Sequence, residues 1–163
     1  MFQVVIRAPI ERVWAEITRT DTPIAAFFNS RMTLGRQGLT PGSKLAMRTP
    51  NGRNTGVVGV ILECVPPNRL SHTFRFTSMN DPECTVCYEL RAVSEGTEFT
   101  MVIDNLPVGT KTAKQMVQGG TLITRTLKAV LETGRPSLGV RCLFLLFKVI
   151  PMPKATRSEH WPV

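Results

Sequence analysis

The chain has 163 residues, 42% apolar and 20% charged, with a net charge of +8. That length is one domain's worth and buries roughly 70% of its unfolded surface, so neither a disulfide nor a metal is needed for folding. The composition excludes a collagen-like, disulfide-rich or wholly disordered chain.

Phe2 to Arg7 alternate as a short strand, with Phe2, Val4 and Ile6 on one face. Pro9 suits the first turn of a helix over residues 9–19, where Ile10, Val13, Trp14 and Ile17 form one stripe. Asp21 caps a second short helix whose apolar side runs from Ala25 to Phe28. Strands then follow, separated by turn chemistry: residues 32–36, 44–48, 55–65, 69–76, 83–93 and 97–105. Pro41-Gly42, Asn51-Gly52, Pro66-Pro67, Asn80 to Pro82, and Glu95-Gly96 supply the turns. From Thr110 to Thr133 the period is helical over roughly 36 Å. Its stripe comprises Ala113, Met116, Val117, Gly120, Ile123, Leu127, Val130 and Leu131, and Gly134 with Pro136 ends it.

This order describes an α+β domain over residues 1–135: a curved antiparallel sheet of about seven strands around a long C-terminal helix, with two short helices after the first strand. The sheet's second face is expected to be wet. Residues 136–163 are an extension made of a short apolar helix and an extended tail. The apolar run from Leu138 to Ile150 includes Arg141 and Lys148 and is thirteen residues long. A bilayer span needs about 20, so it does not cross a membrane. Packing on the domain is the first expectation for this run. A dimer face and a peripheral membrane contact are the alternatives.

Alternation assigns the inner wall. Leu70, His72, Phe74 and Phe76 share a face, as do Val86, Tyr88 and Leu90, and Thr97, Phe99, Met101 and Ile103. The cavity candidates are His72, Phe74, Phe76, Tyr88, Phe99 and Met101 from the sheet, with Met116, Gly120 and Ile123 from the helix. His72 and Tyr88 are the polar groups on this wall. They either orient a ligand or are satisfied core residues. Gly119-Gly120 lies inside the helix, where each glycine costs roughly 1 kcal/mol relative to alanine. Gly120 either widens the cavity or marks a kink or a close strand–helix contact.

No cofactor or metal is indicated. Of the two histidines, His160 lies in the tail, and the lone Cys84-x-x-Cys87 pair sits on a strand, with its thiols on opposite faces. Nucleophile-elbow, P-loop, zinc-protease and dinucleotide-binding motifs are all missing, so the reading is of a binder rather than an enzyme. Residues 111–163 carry nine Lys or Arg against Glu132 and Glu159. Without a nucleic-acid motif or paired exposed aromatics on a strand, nucleic acid is not expected as a partner. The N-terminus lacks the features of a secretory signal, so a cytoplasmic location and reduced thiols are expected.

Several stretches carry a resemblance: the opening VVIRAPIERVWAEIT, the run from Pro41 to Phe76 with its Pro-Pro-x-x-Leu step, the hairpin TVCYELRAVSEGTEFTMVIDNL, and the helix GGTLITRTLKAVLETG. Together they resemble the START-like, or Bet v 1-like (SRPBCC), helix-grip superfamily. Within it the chain looks like the family homologous to the C-terminal domain of the activator of Hsp90 ATPase. The similarity spans about residues 2 to 135. It departs from the family where a Trp usually follows Gly in the final helix and here Gly120 follows Gly119. The tail's Arg157, Glu159 and Trp161 look like an ending some relatives carry.

The resemblance implies a cavity fold that holds an apolar or amphipathic small molecule. A chaperone ATPase activator is the alternative, set lower because the activator has an additional N-terminal domain and this chain starts at the fold. A START-like enzyme using His72 or Tyr88 is the second alternative.

Overall fold

In the computed structural model, which describes residues 1–163, seven strands form one antiparallel sheet in the order β1-β7-β6-β5-β4-β3-β2. The strands are β1 (Phe2–Ile6), β2 (Arg31–Leu34), β3 (Lys44–Arg48), β4 (Thr55–Val65), β5 (Arg69–Phe76), β6 (Cys84–Val93) and β7 (Gly96–Asp104). Consecutive strands from β2 to β7 pair as hairpins, and β1 closes the far edge against β7 with Phe2 opposite Met101. The expected strands are all present with ends shifted by two residues at most.

The first helix, α1 (Ile10–Thr18), buries Val13 and Ile17. The second short helix shrinks to a single 3₁₀ turn, Ala25–Phe27. Phe28 and Asn29 both turn left-handed (φ 55 and 56°), which stops the helix as soon as it starts. That turn drives Phe27 into the core and leaves Phe28 half exposed.

The long helix α2 (Lys111–Thr133) starts with two caps. Thr110 accepts from the Ala113 N–H at 3.2 Å, and the Asp81 carboxylate in the β5–β6 loop accepts from the Thr112 N–H at 3.0 Å. These bonds to Thr112 hold the Asp81 carboxyl below its ordinary pKa. Gly134, left-handed at φ 78°, ends the helix and returns its N–H to Val130.

Met116, Gly120, Ile123, Leu127 and Leu131 form the buried line of α2, which packs on β1, β7 and the 3₁₀ turn. Val117 was expected on this stripe but is 55% exposed, because it lies about 100° around the helix from Met116.

Gly120 does not widen a cavity. A Cβ there would fall 2.3 Å from the ring of Phe2, so the aromatic ring of β1 already fills the space the glycine leaves. Gly120 is a close strand–helix contact.

The extension also differs from expectation. The apolar helix α3 (Leu138–Val149) does not pack into the domain: Val140 is its one fully buried residue, while Leu138, Leu145, Leu146 and Val149 are exposed. The tail beyond it was expected to be extended but folds as 3₁₀ turns at Lys154–Thr156 and Ser158–His160, and it is anchored to the sheet. Arg157 bridges to Asn54, the Thr156 hydroxyl meets Asn54 Oδ1 at 3.1 Å, and the Ser158 and Thr55 hydroxyls lie 3.0 Å apart. Trp161 lies under the Arg75 guanidinium, 5.2 Å from the ring centroid. Part of the outer sheet face is therefore covered by the chain's own end. The remainder is wet and carries ion pairs such as Arg91–Glu98 at 2.8 Å and Arg69–Glu63 at 2.7 Å.

Candidate functional site

The inner wall is built by strand alternation. His72 of β5 stands opposite Val86 of β6 and Ile61 of β4, and Tyr88 of β6 stands opposite Leu70 and Met101. All these side chains project to the side on which α2 lies. The structure brings His72, Tyr88 and Phe99 together: the His72 and Tyr88 ring centres are 5.8 Å apart, and Tyr88 stacks on Phe99 at 5.8 Å. Phe74 lies 6.5 Å from His72 and meets Phe76 edge-on at 4.9 Å. Met101, Met116 and Ile123 join the same buried cluster.

The wall is graded. His72, Tyr88, Phe99 and Met101 are buried, whereas Phe74, Phe76, Val57, Ile103 and Leu106 are only partly covered. The half-covered group gathers where β5 and β7 end, next to the start of α2. The apolar side chains of this face thus pass from fully buried to half-covered toward this end of the sheet.

The two polar groups on the wall have distinct environments. His72 Nδ1 lies 2.7 Å from the Thr73 carbonyl oxygen. A carbonyl only accepts, so Nδ1 carries the proton and Nε2 of the neutral ring is a free acceptor. Burial pushes the His72 pKa down, and the bond to Thr73 opposes this more weakly. Burial also pushes the Tyr88 hydroxyl well above its ordinary pKa. Both groups are therefore uncharged near neutral pH.

Neither His72 Nε2 nor the Tyr88 hydroxyl has a hydrogen-bond partner in the chain, and neither belongs to the sealed, unpaired polar atoms, which are Ser43 Oγ, Arg48 Nε and Thr126 Oγ1. Both residues are nonetheless buried, His72 at 2% and Tyr88 at 4% exposure.

Two residues that complete this wall escaped the sequence reading. Phe27 stacks on Tyr88 at 5.4 Å, so Tyr88 stacks with two phenylalanines, Phe27 and Phe99. Its position two residues after Ala25 suggested only a helix side. Gly59 is the other. A Cβ there would fall 1.9 Å from the Thr73 carbonyl oxygen and 3.4 Å from His72 Nδ1. The signal was available: a glycine inside a strand pattern marks a close backbone approach.

The outer face has concavities of its own. A cleft of about 310 Å³ lies between the tail (Trp161, Val163) and the strands (Val58, Val60, Thr73, Arg75). A second, of about 380 Å³, is lined by Arg53, Asn54, Arg157, Ser158 and Glu159. The four cysteines are free, with Cys84 facing the core, Cys87 beside Glu89 on the outer face, and Cys142 exposed.

Residues 7–132 match the family model described as activator of Hsp90 ATPase homolog 1-like protein. The chain belongs to that family. Its sheet order and long final helix are those of the SRPBCC, or Bet v 1-like, helix-grip fold.

Similar solved structures share this fold. CalU16 from Micromonospora echinospora is 19% identical with a TM-score of 0.61, over 88% of this chain and 80% of that one. DynU16, a putative protein in the dynemicin biosynthetic locus, is 22% identical with a TM-score of 0.64; the match covers 82% of this chain but only 47% of that longer one. The Aha1 dimer from Colwellia psychrerythraea is 17% identical with a TM-score of 0.61, over 81% of this chain and 94% of that one. No curated protein matches the chain. No helix is long and apolar enough to cross a membrane.

Proposed function

We propose that this protein binds one apolar or amphipathic small molecule against the inner face of the sheet. The guest enters at the end lined by Phe74, Phe76, Ile103 and Leu106, and its polar end reaches His72 Nε2 and the Tyr88 hydroxyl. One observation carries this reading: two buried polar side chains on an otherwise apolar wall each keep a hydrogen-bonding atom without a protein partner. The chemistry is complementary, because neutral His72 offers an acceptor and Tyr88 offers a donor. A hydroxyl on the guest satisfies both. A charged group does not fit, since neither residue carries a compensating charge.

Burying about 300 Å² of apolar guest surface gains roughly 7 kcal/mol gross. Ordering costs reduce this, which leaves affinities in about the micromolar range.

Titration with an uncharged fluorescent apolar probe, N-phenyl-1-naphthylamine, and with a library of hydroxylated lipophilic compounds tests the reading. A hit whose affinity falls in Tyr88→Phe and His72→Leu supports it. Saturable binding that both variants leave unchanged, or no binding across the library, rejects it.

Family membership favours a second reading, in which the domain acts on a chaperone ATPase. An increase in Hsp90-type ATPase rate on adding the purified chain supports this alternative, and an unchanged rate at excess rejects it.

A further inference from the structure

The helix α3 leaves an apolar stripe with no partner. Leu138, Cys142, Leu145 and Val149 recur at intervals of four, three and four residues, which puts them on one side of the helix. Leu138 is 74%, Leu145 61% and Val149 76% exposed, and Leu146, Ile150 and Met152 extend the patch. The buried Val140 lies on the opposite side of the helix. Arg141 and Lys148, seven residues apart and both exposed, form a parallel line along the flank of the stripe.

The charge around this helix has one sign. Between Glu132 and Glu159 the chain carries Arg135, Arg141, Lys148, Lys154 and Arg157 and no acid. Of these, Arg157 alone has a carboxylate partner, Glu159 at 3.5 Å.

We propose that α3 lies along an anionic lipid surface, with Leu138, Leu145 and Val149 in the acyl boundary and Arg141 and Lys148 at the headgroup phosphates. Two observations select this occupant. The helix has twelve residues and no helix of the chain is long and apolar enough to cross a membrane, so α3 rests in the interface plane. A second copy is the competing occupant, but an antiparallel two-fold pair brings the Arg141 and Lys148 lines of both copies together, and a parallel pair sets each line against the partner's apolar flank at Leu146; neither arrangement supplies an acid to offset the cations. An anionic surface satisfies the apolar stripe and the cations at once.

Vesicle sedimentation of the full chain tests this, with vesicles of phosphatidylcholine alone and of phosphatidylcholine mixed with an equal amount of phosphatidylglycerol. Binding is expected on the anionic vesicles at low salt and is lost as salt rises. Each of Arg141→Gln and Lys148→Gln lowers the partition coefficient about fivefold, and the pair about twenty-five-fold. Leu145→Glu with Val149→Glu abolishes binding. Both positions are exposed, so the variant keeps the wild-type melting temperature, which circular dichroism verifies.

The proposal is overturned if the wild type binds neither vesicle or binds both equally. It is also overturned if the glutamate pair binds as wild type does. Sedimentation velocity supplies the remaining arm: a dimer dissolved by the glutamate pair, without vesicle binding, assigns the stripe to a second copy and ends the proposal.

Discussion

His72 donates its Nδ1 proton to the carbonyl of its own chain neighbour, Thr73, across 2.7 Å. That carbonyl is turned out of regular pairing with β4, where the Val60 N–H is instead taken by the Thr73 hydroxyl at 3.0 Å. A local irregularity in the ladder thus fixes the tautomer of the one buried histidine and presents its Nε2 to the interior.

The same arrangement makes stability depend on pH. Burial lowers the folded pKa of His72 below the 6.5 of the free side chain. The unfolded chain therefore takes up a proton that the folded chain refuses. Stability is full above about pH 6.5 and falls as pH drops through the window between 6.5 and the folded pKa, at a limiting slope of about 1.4 kcal/mol per pH unit. Glu16, whose pKa burial raises, acts in the opposite sense, and Asp81 and Glu132 act only at lower pH. The comparison with His72→Asn isolates the histidine, because Asn keeps a donor near the δ position and does not titrate. Urea midpoints from pH 5 to 8 are expected to slope in the wild type and to be flatter in the variant. Parallel curves contradict the assignment.

Gly59 is required by the same carbonyl. A methyl group there meets backbone atoms of Thr73 at 1.9 and 2.9 Å, and backbone cannot rotate away as a side chain can. Gly59→Ala is expected to destabilise the protein by about 3 kcal/mol or more, at the upper end of overpacking effects. Gly56, with nothing nearer than 3.9 Å to its added Cβ, is the control, and Gly56→Ala is expected to fall within about 0.5 kcal/mol of wild type. Denaturant unfolding of both measures the difference.

The strands were legible because alternation and turn residues agree. β3, β4 and β5 begin and end at the residues where Pro41-Gly42, Asn51-Gly52 and Pro66-Pro67 place them. The inner faces followed from the same alternation, so His72, Tyr88 and Phe99 could be grouped before their rings were seen to meet. What escaped was tertiary. Nothing local tells that Phe2, nearly 120 residues upstream, fills the space beside Gly120, or that Phe28 would turn left-handed and cut the second helix short. The fate of α3 was also hidden, because an apolar run reads alike whether it packs on its own domain or awaits a surface.

Gly120 and Phe2 should therefore couple. In the wild type, Gly120→Ala gains about 1 kcal/mol of helix propensity but forces the Phe2 ring aside, at a cost of about 1–3 kcal/mol. The net effect is expected to be destabilising or near zero. In a Phe2→Ala background the obstruction is gone, and Gly120→Ala is expected to stabilise by about 1 kcal/mol. A change of sign between the two backgrounds, read from thermal or urea unfolding, is the outcome that supports a strand–helix contact. Equal effects in both would mean that the ring does not occupy the space beside the glycine.

Trp161 and Arg75 supply the last test, of whether the C-terminal tail is part of the folded domain. The indole carries the Arg75 guanidinium on its face at 5.2 Å, its Nε1–H donates to the Ala155 carbonyl at 2.8 Å, and its own carbonyl accepts from Arg48 at 3.1 Å. Trp161→Ala removes the ring but leaves the Arg48 contact in place. A double-mutant cycle with Arg75→Ala is expected to give a coupling of about 0.5–1 kcal/mol, the range for a partly exposed cation–aromatic pair. Because the tail also bonds Asn54 and Thr55, its amides from Thr156 to Trp161 should exchange hydrogen more slowly than those of α3 beyond Val140. Zero coupling together with fast exchange throughout the tail would place residues 154–163 outside the cooperative unit and leave the outer face of β3 to β5 open to solvent.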